Sequence, residues 1–227
     1  MIDRRLLLRL TLRLAVAWLV LASAMLALSQ WLLASVLPLL DVAVNLLQDD
    51  FSAVLKLSRE SGSWLVHMEP LTVRPIPMTD QVQLRQFITL QKYVTHVDHT
   101  LVPVVLLLTG VLASPFRNTR ELALRLLLTL PALLIVLILG APVLLIGQVQ
   151  MTLVELAVRA GARFHEPWMV WLTVFMESGG RWLLPTAAAI ACITLARWVL
   201  APKPATAVAP APRVERSGAV TASPPMS

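Results

Sequence analysis

The densest group of titratable side chains in this 227-residue chain is His96, Asp98 and His99. Residues 96 and 99 stand three apart and would share a helix face, so two imidazoles with Asp98 beside them have the makings of a metal site. A closed metal site needs a further ligand at motif-like spacing, and a His pair without one suits equally a polar cuff where a helix leaves a bilayer. No metal and no cofactor is therefore expected. A second group, Glu177 and Arg181, lies in the stretch Glu166–Pro185, EPWMVWLTVFMESGGRWLLP, where an aromatic apolar run meets Glu-Ser-Gly-Gly-Arg and then another apolar run. On a regular helix Glu177 and Arg181 would form an i,i+4 salt bridge, although Gly179-Gly180 argues for a bend. If all five residues lie at one membrane depth, His96, Asp98, His99, Glu177 and Arg181 converge on one outward-facing polar binding site. Cys192 is the remaining candidate. A nucleophilic thiolate needs a base or cation beside it. Arg181 lies eleven residues earlier, about 16 Å along a helix, and Cys192 sits among Ala, Ile and Thr, which suits packing. No catalytic residue is assigned, and no CxxC, HExxH or Gly-rich phosphate loop appears.

The elements that must position these residues are dictated by composition. Hydrophobic residues make up 57% of the chain, charged residues 14%, and the mean hydropathy is +0.75. Soluble domains carry about 25% charged residues, so one small core cannot hide this much apolar surface and a lipid bilayer is the expected solvent for part of it. The net charge of +6 comes from Arg residues that flank hydrophobic runs, so nucleic acid is not an expected partner.

The fold class expected is an all-α membrane protein with four transmembrane helices and a small extracytoplasmic α+β cap between the first two. Residues 1–13 form a basic cytoplasmic N-terminus with Arg4, Arg5, Arg9 and Arg13, and residues 14–37 the first span, long enough at roughly 20 residues per crossing. Ala27-Leu28-Ser29 has the small-x-small pattern of a signal-peptide cleavage site, but hydrophobicity resumes directly after it. Residues 41–95 form the cap. Within it, Val44, Leu47, Phe51, Val54, Leu55 and Ser58 follow helical spacing, so a helix is expected to continue from the first span. Trp64–Met68 and Leu71–Val73 read as two short strands around Glu69-Pro70. Arg74-Pro75-Ile76-Pro77 reads as an extended linker. Asp80-x-x-Gln83 reads as a capping box opening a second helix, with Val82, Phe87, Leu90 and Val94 as its apolar side.

The second span is placed at residues 96–116, a cytoplasmic loop at 117–121, and the third span at 122–147, with Arg125 snorkelling inward and kinks at Pro131, Gly140 and Pro142. Residues 148–181 form an extracytoplasmic or interfacial segment. Its run Pro167–Met176 is too short to cross, with Trp168 and Trp171 at headgroup depth, and Glu177–Arg181 turns it as a hairpin into a fourth span at 182–200. Residues 201–227, rich in Pro, Ala and Ser, read as a disordered cytoplasmic tail. The short flanks assigned to the inside are dense in Lys and Arg. The longest outer segment, Asp41–Thr100, carries five basic and seven acidic residues. Both termini are thus expected in the cytoplasm.

The segment Phe175-Met176-Glu177-Ser178-Gly179-Gly180-Arg181-Trp182-Leu183-Leu184-Pro185 resembles a stretch in the exosortase H-associated (PEP-CTERM-type system) small multi-spanning membrane proteins. It covers about a tenth of the chain, together with the overall layout. The resemblance implies a bacterial inner-membrane accessory protein with no assigned catalytic residues. Exosortases themselves present Cys, Arg and His outward, and Cys192 falls too deep for that. The leading expectation is a non-enzymatic accessory or assembly protein that docks a membrane or envelope partner, or further copies of itself, through its outer face. The alternatives are a membrane enzyme using the outer polar cluster and a transporter component, the latter disfavoured by the scarcity of polar residues at mid-membrane depth.

Overall fold

The computed structural model of the protein describes residues 4–60, 62–77, 83–161 and 167–201. The chain is mostly helical and carries a small antiparallel sheet. Helix α1 (Arg4–Leu47) runs for 44 residues, about 66 Å at 1.5 Å per residue. That is twice the thickness of a hydrocarbon core, roughly 30 Å, so its two halves have different surroundings. The most apolar window of α1 is not buried by the rest of the chain. Its second half instead packs Leu33, Leu40 and Val44 into the core under the sheet.

The sheet consists of β1 (Phe51–Glu60), β2 (Ser63–Thr72) and β5 (Tyr93–His96) in the order β1-β2-β5, with β3 (Ile76–Pro77) and β4 (Gln83–Leu84) forming a separate small pair. Residues 44–58 are not one continuous helix: α1 ends at Leu47 and β1 begins at Phe51. Phe51, Ala53 and Leu55 are buried while Ser52, Val54 and Lys56 are exposed, a period of two that the helical template also partly matches at 47, 51, 54 and 55. Tertiary pairing decides the matter. Val54 faces Glu69 and Leu55 faces Met68 across one long hairpin, which also fuses the two strands expected around Glu69-Pro70. β1 is an edge strand, and its free edge is closed by α1. Asp41 Oδ1 accepts the Leu55 N–H (3.0 Å), and Asn45 Oδ1 accepts the Ala53 N–H (3.1 Å) while its amide donates to Ala53 O (2.9 Å). Side chains four apart on a helix thus stand in for a missing strand.

No second cap helix is present among the described residues. Asp80 and Val82 lie outside the described residues, and Gln83–Leu84 and Tyr93–His96 are strands. Thr72 organises the segment between them. Its hydroxyl donates to Arg85 O (3.0 Å) and accepts the Ile88 N–H (2.9 Å), and its carbonyl accepts the Phe87 N–H (2.8 Å). Phe87, expected on an apolar helix face, is instead 67% exposed with φ of +60°.

Helix α2 (Asp98–Ala113) is shorter than the expected span at 96–116. α3 (Thr119–Leu139) begins at an Asn118 cap, whose side chain accepts the Glu121 N–H, and stops at Gly140. The expected third span, 122–147, therefore divides. Pro142 sits in the first turn of α4 (Ala141–Arg159), where its missing N–H costs nothing. α4 lies under the sheet, with Leu145, Ile146, Val149 and Leu153 in the same core as Phe51, Val66 and Met68. α5 (Trp168–Phe175) packs on α4 so closely that a Cβ at Gly147 would collide with the Thr173 side chain. Thr173 is buried there and donates to Val143 O at 3.2 Å.

A wide turn, Met176–Gly180, joins α5 to α6 (Arg181–Val199). Gly179 takes φ of +143°, a conformation open to glycine and costly for other residues. The turn is a kink, not the expected hairpin: α5 lies against α4, while α6 packs on α2 and α3. Gly110 makes the α2–α6 approach possible, since a Cβ there would stand 2.8 Å from Ala189 Cβ. Among the described residues, Leu8–Leu47, Thr119–Arg159 and Trp168–Val199 are the stretches long and apolar enough to cross a membrane, with α2 a shorter apolar helix.

Candidate functional site

The sequence candidates gather where the sheet meets the helix bundle. β5 delivers His96 at its last position. The next turn of chain begins α2, and Val97 N–H bonds to Trp64 O (3.2 Å), which fixes α2 to the central strand. This places Asp98 in the first turn of α2 and His99 just behind it. The His96 and His99 rings stand 6.1 Å apart between centroids and are tilted, not stacked. His99 Nδ1 shares a 3.3 Å hydrogen bond with Thr95 Oγ1. His99 is half-buried, whereas His96, Asp98 and Glu177 are exposed.

The kink brings the second group to the same place. His99 lies within the electrostatic reach of Arg181, His96, Asp98 and Glu177 together. The expected Glu177–Arg181 salt bridge is not formed among the described residues, because the Gly179 excursion breaks the i,i+4 register that would align them. Arg181 instead holds its guanidinium 5.8 Å from the Trp182 ring centroid, and its buried Nε has no hydrogen-bond partner. Among the described residues no group of three or more His, Cys, Asp or Glu is arranged to hold a metal ion. Beside the cluster, a cavity of about 320 Å³ opens between α1, α2 and the start of α6. Trp18, Leu26, Leu101, Val105 and Trp182 line it, together with Asp98.

At the opposite end of the bundle lies a second charged group, built in a different way. Arg125 is fully buried on α3 and does not reach for an aqueous surface as its sequence position suggests. Its guanidinium donates to Ser114 O (3.0 Å), Pro115 O (3.0 Å) and the Glu121 carboxylate. Arg197 from α6 reaches the same Glu121 oxygen (3.3 Å) and Pro115 O (3.1 Å), and Glu121 also accepts the Arg117 N–H (2.8 Å). The loop between α2 and α3 is thereby tied to α6. Glu121 and Arg125 stand four apart after an Asn cap, which is the signal that could have identified the pair.

A third polar site lies within the sheet and carries no signal in the sequence. His67, on the central strand, is buried. Its Nε2 meets both Ser58 Oγ and Glu60 Oε1 (3.2 Å), while Nδ1 has no partner. An Nε2–H tautomer satisfies that geometry, and protonation would add a buried Nδ1–H with no acceptor. Burial pushes the His67 pKa below its ordinary value, helped by the Lys92 charge and opposed by Glu60 and Glu69. The serine and the carboxylate compete for one nitrogen, so the ring is not oriented by a carboxylate on one side toward a nucleophile on the other. Cys192 is buried between α6 and α3, where its thiol lies 3.5 Å from Leu128 O beside Leu107, Val111 and Val136, a packing environment.

Comparison of the chain with protein families, with curated proteins and with solved structures returns no match.

Proposed function

We propose that this is a bacterial inner-membrane protein that crosses the bilayer four times, through the first half of α1, α2, α3 and α6, with both termini in the cytoplasm and the sheet, α4 and α5 forming an outer cap. Its role on this reading is that of an accessory or assembly protein docking a membrane or envelope partner. The spans are supported by the three long apolar stretches and by the Lys/Arg-dense short flanks. α2, at 16 residues, is about 24 Å long. Its position between α1 and α6 and its polar first turn suit a short span with slight local thinning.

Phe87 is the observation that carries the docking role. It is a large apolar side chain, mostly exposed, on a backbone at positive φ, pinned by the Thr72 hydrogen bonds. Thr72 pairs with Phe51 at one end of the hairpin, whereas Leu65, near the other end, pairs with His96. Phe87 thus sits at the end of the sheet away from the bundle. A bulky residue held at positive φ is uncommon, and such strained positions cluster at ligand clamps and switch regions. The exosortase-type surface-protein systems suggested by Phe175–Pro185 are the setting in which we place it. A photo-crosslinking residue at position 87 is expected to capture one discrete envelope or membrane protein in cells. Phe87→Gly is expected to abolish that complex with no loss of stability, since glycine accepts positive φ. Purification in mild detergent under several growth conditions that returns this chain alone would count against docking. A C-terminal reporter active only outside the cytoplasm would overturn the topology.

A second reading, a membrane enzyme, is favoured by one observation: charges of both signs surround His99 without pairing to one another. Loss of function in His99→Ala and Glu177→Gln at normal protein level would support it, and wild-type behaviour of both would remove it.

A further inference from the structure

We propose that the cavity between α1, α2 and the start of α6 holds one zwitterionic phospholipid with a primary ammonium headgroup, of the phosphatidylethanolamine type. The inference rests on the membrane-spanning reading of α1, α2 and α6. The cavity, about 320 Å³, falls at the low end of small-ligand pockets, roughly 300–1,000 Å³, so it takes the headgroup end and the first part of an acyl chain while the remainder of the lipid lies in the bilayer. Leu26, Leu101, Val105 and Trp18 make its wall apolar, as an acyl chain requires, and Trp182, at the start of α6, lines it together with Asp98. Indole rings prefer the headgroup boundary, where an apolar body and a polar edge are both accommodated.

The mouth of the cavity supplies the selectivity. Asp98 lies in the cavity lining itself. Arg181 lies beside it, its guanidinium 5.8 Å from the ring of the cavity-lining Trp182, and Glu177, four residues earlier on the kinked segment, is near enough to act on His99 together with Asp98. Neither the Asp98 nor the Glu177 carboxylate has a hydrogen-bond or ion-pair partner among the described residues, and the buried Arg181 Nε lacks an acceptor. Unpaired groups of both signs at one place ask for a ligand of both signs, because interfacial charges without partners are costly. A phosphodiester accepts from the Arg181 guanidinium, the residue suited to phosphate. A primary ammonium offers three N–H donors to the two carboxylates. A quaternary ammonium has none to offer. An anionic headgroup without an amine, such as that of phosphatidylglycerol, brings no cation to Asp98 and Glu177.

The full-length protein, purified in mild detergent, is examined by native mass spectrometry and lipid extraction. It is then reconstituted in phosphatidylglycerol nanodiscs doped with phosphatidylethanolamine or with phosphatidylcholine at equal mole fraction. One phosphatidylethanolamine is expected per chain, with a rise in Tm on doping that phosphatidylcholine does not reproduce. Asp98→Asn and Glu177→Gln are each expected to lower phosphatidylethanolamine retention relative to phosphatidylglycerol by about tenfold, the scale of one lost charge-assisted hydrogen bond. Arg181→Gln is expected to weaken both zwitterionic lipids alike. Glu177 is exposed, so its variant keeps the test available if Asp98→Asn does not fold. Equal retention of the two zwitterionic lipids, or unchanged phosphatidylethanolamine retention in the carboxylate variants, overturns the proposal. Alkaline carbonate extraction of cell membranes separates this from failure of the underlying reading. A chain released as soluble protein refutes the spans, whereas a chain that stays in the pellet without headgroup preference refutes only the lipid site.

Discussion

The two ends of the helix bundle handle charge in opposite ways. At the loop end, Glu121, Arg125 and Arg197 meet with backbone carbonyls and an amide, and the Glu121 carboxylate is almost fully used. At the sheet end, Asp98, Glu177 and Arg181 share a neighbourhood without pairing. A buried group whose opposite charges are paired fixes structure, even with Arg125 Nε left without an acceptor, because it can bind nothing without being rebuilt. An unsaturated group at an exposed mouth contributes little to the fold and is free to recognise a ligand. The difference arises in the backbone. Asn118 starts a regular helix, so residues 121 and 125 align, whereas Gly179 interrupts one, so residues 177 and 181 do not.

The contrast is broken most severely at Glu121. Glu121→Ala removes the carboxylate and leaves Arg125 buried with carbonyl partners only, a change of the kind that costs about 3–5 kcal/mol. Denaturant or thermal unfolding in detergent is expected to show that loss. The double variant Glu121→Leu/Arg125→Met is expected to be more stable than Glu121→Ala alone, because no charge is then stranded. If Glu121→Ala unfolds like the wild type, the loop-end group is no more structural than the sheet-end one.

Gly180→Ala tests the kink that keeps the sheet-end charges apart. An added Cβ would stand 2.5 Å from the Phe175 ring and 2.9 Å from Phe175 O. The exposed ring can swing away, but the carbonyl belongs to the turn. A cost of about 1–3 kcal/mol is expected, as for other overpacked positions. Headgroup selectivity should fall with it, since Glu177 and Arg181 would be re-aimed. Lost stability with selectivity intact would uncouple the kink from the site.

The same contrast explains what could be read from the sequence. Apolar runs and flanking Arg residues depend on composition alone, and they locate α6 to within one residue at each end, whereas α1 extends ten residues past the expected span at both ends and α3 stops eight residues before the expected one does. His96, Asp98, His99, Glu177 and Arg181 stand out as candidates because they are polar against apolar surroundings, and the other four all lie within electrostatic range of His99. The Arg125 lock was hidden because an Arg one turn inside a span looks the same whether it snorkels or is buried; only Glu121 four residues earlier distinguishes them. The 44–58 segment was misread because its apolar positions fit both periods in part, and long-range pairing with residues 63–72 chose the strand. Phe87 illustrates the limit: exposure imposed by Thr72, fifteen residues away, leaves no local trace.

His67 lies between the two extremes, buried but only half satisfied. Its ordinary pKa of 6.5 is lowered in the folded cap. Below that value the unfolded chain binds a proton that the folded chain resists, so folding stability is present above about pH 6.5 and declines as pH falls through the folded value. Cap unfolding followed by hydrogen exchange should show amides of β1 and β2 losing protection between neutral and mildly acidic pH. His67→Gln should flatten that dependence. A wild-type profile that is already flat would mean that Glu60 and Glu69 offset the burial of the ring.

The smallest effect on stability is expected where the effect on recognition is largest. Glu177→Gln and Asp98→Asn change exposed side chains that hold no partner, and surface changes of that kind fall within about 0.5 kcal/mol of wild type. Removing an unpaired like charge from beside another can even stabilise the free protein slightly. Unfolding midpoints in lipid-free detergent should therefore coincide with wild type, while midpoints in phosphatidylethanolamine-containing nanodiscs should fall below it, because only the bound state loses a contact. A destabilisation of several kcal/mol in detergent alone would reverse the assignment. The sheet-end carboxylates would then be structural like Glu121, and the cavity beside them would have to be explained without a headgroup.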